Sequence, residues 1–102
     1  MTTNLIRYKT KPEQSDENER LIKQVFEELR VRAPEGLRYL AVRAADGSFL
    51  HFVMVETKDG TNPLLGLESF KAFTAGVKER CAELPKSEGA TVVGDYRMLR
   101  QP

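Results

Sequence analysis

The sequence predicts an α+β domain of ferredoxin-like order, β-α-β-β-α-β, with a four-stranded antiparallel sheet and two helices on one face. Three observations predict it. Phe49-Leu50-His51-Phe52-Val53-Met54-Val55 is a near-continuous apolar run of β-formers that follows the turn dipeptide Asp46-Gly47. Stretches on either side of it repeat apolar residues at helical spacing. Further strand-forming stretches lie near both ends of the chain.

The 102 residues are read as one domain, 1–102, large enough for one core. Leu5 to Lys11 reads as strand one, with Leu5, Ile6 and Tyr8 interleaved with Arg7 and Lys9. Pro12 ends it, having no N–H for a ladder. Ser15 or Asp16 is expected to cap the next helix, with Glu19 in a capping arrangement. That helix spans about Glu17 to Arg32, and Leu21, Ile22, Val25, Phe26 and Leu29 form its apolar stripe. Pro34-Glu35-Gly36 stops it.

Leu37 to Ala45 and Phe49 to Lys58 read as strands two and three. A two-residue turn at Asp46-Gly47 would set Leu40 opposite Val53. Leu40, Val42, His51 and Val53 then share one face; Tyr39, Ala41, Arg43, Phe52 and Met54 share the other. Bulky Phe26, Phe70 and Phe73 pack more easily over the Val- and Ala-rich face, so His51 is expected under the helices and Tyr39 away from them. Asn62 and Pro63 open a helical segment, as N-cap and first residue. The main second helix carries Leu67, Phe70, Phe73, Val77 and Cys81, and Leu84-Pro85 ends it. Gly76 inside it points to a close contact with a strand or another chain. Ala90 to Leu99 reads as strand four. Strands one and three are expected side by side in the middle, running parallel within an otherwise antiparallel sheet.

Strand three is apolar on both sides, so both sides need cover. Two helices cover one face. The other is expected to pack against a second copy of the chain, a homodimer through the sheet face.

Net charge is +1 with no basic stripe, which argues against a nucleic-acid partner. The same element order serves RNA-recognition domains, but His51 and Val55 stand where their third strand needs small and aromatic residues. No apolar run approaches the ~20 residues of a membrane span, and Met1-Thr2-Thr3-Asn4 has no secretory pattern. One cysteine excludes an intrachain disulfide and fits a cytoplasmic location.

His51, the one histidine, is the candidate catalytic residue: a general base or hydrogen-bond donor in a cavity between sheet and helices. Against this stands a packed strand histidine. Tyr8, Tyr39 and Arg43 are the candidate ligand-binding residues, weighed against core tyrosines and a solvated arginine. Cys81 is read as a small buried hydrophobe. No metal-ligand spacing, nucleophile elbow or phosphate loop is present, and no cofactor is expected.

Ile6-Arg7-Tyr8-Lys9, Gly36-Leu37-Arg38-Tyr39, Gly47-Ser48-Phe49-Leu50-His51-Phe52-Val53, Asn62-Pro63-Leu64, Phe70-Lys71-Ala72-Phe73 and Val92-Val93-Gly94-Asp95-Tyr96-Arg97 resemble small bacterial proteins of the antibiotic-biosynthesis-monooxygenase-like, dimeric α/β-barrel superfamily. The resemblance covers nearly the whole chain, through mostly structural motifs. It implies a homodimer formed through the sheets. It implies an apolar pocket that binds or oxidises a small aromatic or enolic compound without metal or flavin; the alternative is a small-ligand carrier or sensor with no turnover. Haem-degrading relatives carry a helical histidine and a tryptophan, both lacking here, so the chain looks most like members without an assigned activity.

Overall fold

The computed structural model describes residues 2–99. Strand β1 (Thr2–Thr10) leads through a 3-10 turn to helix α1 (Ser15–Arg32). Strands β2 (Leu37–Arg43) and β3 (Ser48–Val55) form a hairpin. A 3-10 turn (Pro63–Gly66), helices α2 (Glu68–Ala75) and α3 (Val77–Arg80) and strand β4 (Cys81–Gly89) follow. The sheet has four strands in the order β2-β3-β1-β4, all antiparallel. The ferredoxin-like α+β expectation therefore holds.

Strands β1 and β3 are central neighbours, but antiparallel rather than parallel. The α1 crossover returns the chain in the direction of β1, which sets β2; the hairpin then reverses β3.

The hairpin differs from expectation by one residue. Tyr39 pairs with Val53 and Ala41 with His51. The Ala44 N–H donates to the Ser48 carbonyl, so the loop holds three residues, and Gly47 takes φ 90°. That left-handed position after a tight turn is the natural place for glycine. The consequence is large, because a one-residue slip turns every side chain of a strand over. The face expected for Phe49, His51, Val53 and Val55 is observed. Tyr39, Ala41 and Arg43 join them on the helix face, and Leu40 and Val42 move to the outer one.

Strand four is the larger correction. The chain turns extended at Cys81, and Ala90–Leu99 forms no strand. Cys81 is thus the first residue of β4, not part of a helix. Its sequence, CAELPKSEG, is polar and holds a proline, so it lacks the pattern of a half-buried strand. An edge strand can do without that pattern. Only Cys81 in it is buried. The register shifts between Arg7 and Lys9, and Leu84 and Pro85 fall within the shift, where a missing N–H is tolerated.

Capping also departs from the expectation at α1. Gln14 precedes the helix without a side-chain cap; Ser15 instead shares a 2.7 Å hydrogen bond with Thr10. At the later turn Asn62 accepts from the Leu64 N–H, with Pro63 in first place, as expected.

The core lies between the sheet and the helices. Ile22 and Val25 from α1 and Phe73 from α2 meet Tyr8, Phe49, Val53 and Val55 from the sheet. Glu28 of α1 accepts from the backbone N–H and hydroxyl of Ser69, joining α1 to the first turn of α2. The outer face carries Leu5, Leu40, Leu50 and Met54, all part-exposed, with Val42 and Phe52 41 % and 36 % exposed.

Candidate functional site

A cavity of about 300 Å³ opens between the central strands and the segment from Asn62 to Val77. Ile6, Val53, Leu64, Phe70, Phe73 and Val77 give it an apolar wall. Tyr8, Tyr39 and His51 are its ionisable lining groups.

Register explains why these three meet. Ile6 lies opposite His51, and Ala41 lies opposite it on the other side. Tyr8 and Tyr39 are each two residues along from those positions, on the same face. Their rings reach back to the imidazole from both flanks. Tyr8 Oη lies 2.8 Å from His51 Nε2, and Tyr39 Oη lies 2.5 Å from His51 Nδ1. Phe49 stacks on Tyr8 at 5.5 Å and Phe26 on Tyr39 at 4.7 Å, which holds both rings in place.

The chain of polar contacts continues behind Tyr8. Asn18 Nδ2 donates to Tyr8 Oη at 2.9 Å, and Arg80 Nε donates to Asn18 Oδ1 at 2.9 Å. Arg80 Nη2 donates to the carbonyl of Phe73 at 2.7 Å, and its guanidinium lies over the Phe73 ring. Asn18 is fully buried and Arg80 nearly so. Gly76 has its reason here: a Cβ on it would stand 2.9 Å from Arg80 Nη1. The close contact is therefore with this guanidinium rather than with a strand or another chain, and Gly76 stands between α2 and α3 rather than inside a helix.

Burial sets the charge state. It draws His51 down from 6.5 to about 4, so the imidazole is neutral at neutral pH. Burial also pushes the Tyr8 and Tyr39 hydroxyls well above their ordinary value, with the Asn18 bond opposing this in part at Tyr8. The site is a hydrogen-bonded, uncharged set of two phenols and an imidazole, with both ring nitrogens occupied.

Tyr8, Tyr39 and His51 thus come together, and Arg43 stands apart. It sits at the far end of β2, where it donates to Asp16 at 3.0 Å and Glu19 at 2.8 Å. Asn18 and Arg80 are the residues that sequence reading passed over. Each left a signal: Asn18 extends the stripe of Ile22 and Val25 back by one turn, and Arg80 follows Phe73 and Val77 at helical spacing. A polar residue on an apolar stripe needs a buried partner. Among the described residues no three His, Cys, Asp or Glu side chains converge as a metal site would require.

No family model matches the sequence, and no curated protein matches it. Solved structures do match the fold. Rv0793 from Mycobacterium tuberculosis is 16 % identical with a TM-score of 0.73, over 92 % of this chain and 96 % of that one. A candidate antibiotic biosynthesis monooxygenase from Caulobacter crescentus is 20 % identical with a TM-score of 0.71, over 90 % and 89 %. Another from Nitrosomonas europaea is 13 % identical with a TM-score of 0.71, over 89 % and 88 %. The chain is therefore antibiotic-biosynthesis-monooxygenase-like in fold.

Proposed function

We propose that this chain acts as a homodimer whose cavity takes up a small, uncharged aromatic or enolic molecule and oxidises it with molecular oxygen, without metal or flavin. The cavity lining carries the ligand half of this reading. It is mostly apolar, and its ionisable groups, Tyr8, Tyr39 and His51, are all neutral at neutral pH. A charged ligand would lose its hydration there without gaining a counter-ion. An apolar hollow with a few convergent polar groups suits a planar organic molecule, and about 300 Å³ suits a small one.

The oxidation half rests on the fold likeness to candidate monooxygenases and on the placement of Tyr39. Its hydroxyl, backed by His51, would hydrogen-bond the oxygen of a bound enol or enolate in a site poor in water. The substrate proton would pass to water at the cavity mouth; the resulting carbanion would form a C–O bond to molecular oxygen and take a proton back from water, and the hydroperoxide so formed would lose water to leave a ketone, one oxygen atom in each product. Arg43 is left outside this role.

One observation favours a second reading, binding without turnover. Both His51 nitrogens are occupied, and burial lowers its basicity, so among the described residues no strong base faces the cavity. Calorimetric titration with neutral bicyclic and tricyclic aromatics, beside oxygen uptake on anthrone- and quinol-type compounds, separates the two. Uptake that is lost in Tyr39→Phe supports the oxygenase. Binding with no uptake supports the carrier or sensor. Binding of nothing across the panel refutes both.

The homodimer is supported by the outer sheet face. Leu5, Leu40, Leu50, Phe52 and Met54 lie there beyond reach of the helices. Each is worth roughly 1.5–3 kcal/mol if fully buried. Val92, Val93, Tyr96 and Met98 add more exposed apolar surface. The lone cysteine is in keeping with a reducing cytoplasmic setting.

A further inference from the structure

Arg80, Asn18, Tyr8, His51 and Tyr39 form one unbroken hydrogen-bond chain. We propose that Arg80 and Asn18 are positioning residues that fix the direction of this chain, hold His51 as the Nδ1–H tautomer, and make Tyr39 offer a proton to the cavity, so that the bound molecule meets it with a carbonyl oxygen.

Donors and acceptors along the chain are fixed from its buried end. A guanidinium can only donate. Arg80 Nε donating at 2.9 Å therefore requires Asn18 Oδ1 to face it. The amide NH2 of Asn18 is then turned towards Tyr8, and it too can only donate. Tyr8 Oη accepts from Asn18, and among the described residues its own proton meets one acceptor, His51 Nε2 at 2.8 Å. If Nε2 carried the proton instead, the hydroxyl of Tyr8, a side chain 3 % exposed, would have no acceptor among the described residues, which proteins avoid. Nε2 is thus the bare nitrogen, and a neutral imidazole then carries its proton on Nδ1. Nδ1–H donates to Tyr39 Oη at 2.5 Å. The accepting side of that phenol is taken, and its O–H is left to donate into the cavity that Tyr39 lines.

Two further features fit a chain held rigidly at its source. Arg80 is buried with no ion pair among the described residues, so its place is kept by Asn18 and the Phe73 carbonyl. Gly76 leaves the space that the guanidinium fills.

The ligand half of the proposal rests on the function proposed above; the tautomer does not, so the two can be tested apart. Ring-nitrogen NMR on uniformly 15N-labelled wild type, which has one histidine, reads the tautomer with no ligand present. Nδ1–H is expected, and Nε2–H overturns the proposal. Asn18→Asp should reverse the chain. The carboxylate accepts from both Arg80 and the Tyr8 hydroxyl, Tyr8 then accepts from Nε2–H, and Tyr39 spends its proton on Nδ1. The same spectrum should show the swap; an Asn18→Asp ring that stays Nδ1–H overturns the proposal. Should Asn18→Asp fail to fold, the wild-type tautomer still decides.

The ligand half is read by titrating 1-indanone, which only accepts, against indole, which only donates. Wild type should prefer indanone by about tenfold, and Asn18→Asp should shift the preference towards indole. Equal affinities in a wild type that carries Nδ1–H overturn the carbonyl assignment and uphold the tautomer. Binding of neither compound also overturns the carbonyl assignment, and if the aromatic panel above binds nothing as well, the proposed function falls with it.

Discussion

Tyr39 Oη lies 2.5 Å from His51 Nδ1, and the two rings, one from each strand of the hairpin, sit 5.7 Å apart between centroids. This contact exists because the hairpin loop holds three residues. With a loop one residue shorter the two side chains would point to opposite faces of the sheet. The hydroxyl removes one ring nitrogen from solvent, Tyr8 removes the other, and the imidazole becomes part of the wall rather than a free base.

Removing that hydroxyl gives a direct prediction. Tyr39→Phe keeps the stack on Phe26 and leaves His51 Nδ1 without its partner. It should cost about 1–3 kcal/mol of stability, as expected when a buried polar atom is orphaned. Affinity for a carbonyl-bearing aromatic should fall about tenfold. Urea unfolding and titration calorimetry measure the two, and unchanged values in both would remove Tyr39 from the site.

The buried imidazole should make stability pH-dependent. Its pKa falls from 6.5 to about 4 on folding, through burial. Below pH 6.5 the unfolded chain gains a proton that the folded chain refuses, so stability drops as pH falls towards about 4, and this contribution levels off below that. The full effect is of order 3 kcal/mol. Denaturant unfolding at stepped pH should show the slope in wild type and its absence in His51→Gln. A wild type flat from neutral pH down to 5 would contradict it.

A second acid-sensitive contact should take over at lower pH. The hydroxyl and backbone N–H of Ser69, then Arg32, hold Glu28 down at about 2, against an ordinary 4.5. A lowered carboxylate contributes stability above its unfolded value and loses it as pH falls through the window from 4.5 to about 2. Glu28→Gln should flatten the unfolding profile in that window and lower stability at neutral pH. Equal acid midpoints for variant and wild type would argue that α1 and α2 do not depend on this bond.

The outer sheet face can be tested by charge. Phe52→Glu puts a carboxylate at the centre of the apolar patch, on the face of β3 opposite to that of His51 and Val53. Sedimentation velocity at micromolar concentration should give a dimer for wild type and a monomer for the variant. A wild type that sediments as one chain would end the dimer proposal.

The helical stripe from Leu21 to Leu29 and the inward side of the apolar run in β3, Phe49, His51, Val53 and Val55, marked real packing surfaces. The turn at Gly47 was visible, but its length was not, because Asp-Gly serves two-residue and three-residue loops alike. The β-rich residues from Ala90 to Leu99 drew the fourth strand onto the wrong segment. A strand needs an edge to pair with, and β4 already occupies the β1 edge with a polar, proline-bearing sequence.

By itself the sequence determined the element order, the apolar stripe of α1, the inward face of β3 and the candidacy of His51, since each is written in neighbours a few residues apart. Only the tertiary structure decided which segment closes the sheet, which way Tyr39 points, and that Arg80 reaches Asn18 from 62 residues away. The physical reason is the range of the contacts. Periodicity repeats within one element and is legible locally, whereas register and buried polar pairing are settled between elements, where a single residue in a loop changes the outcome.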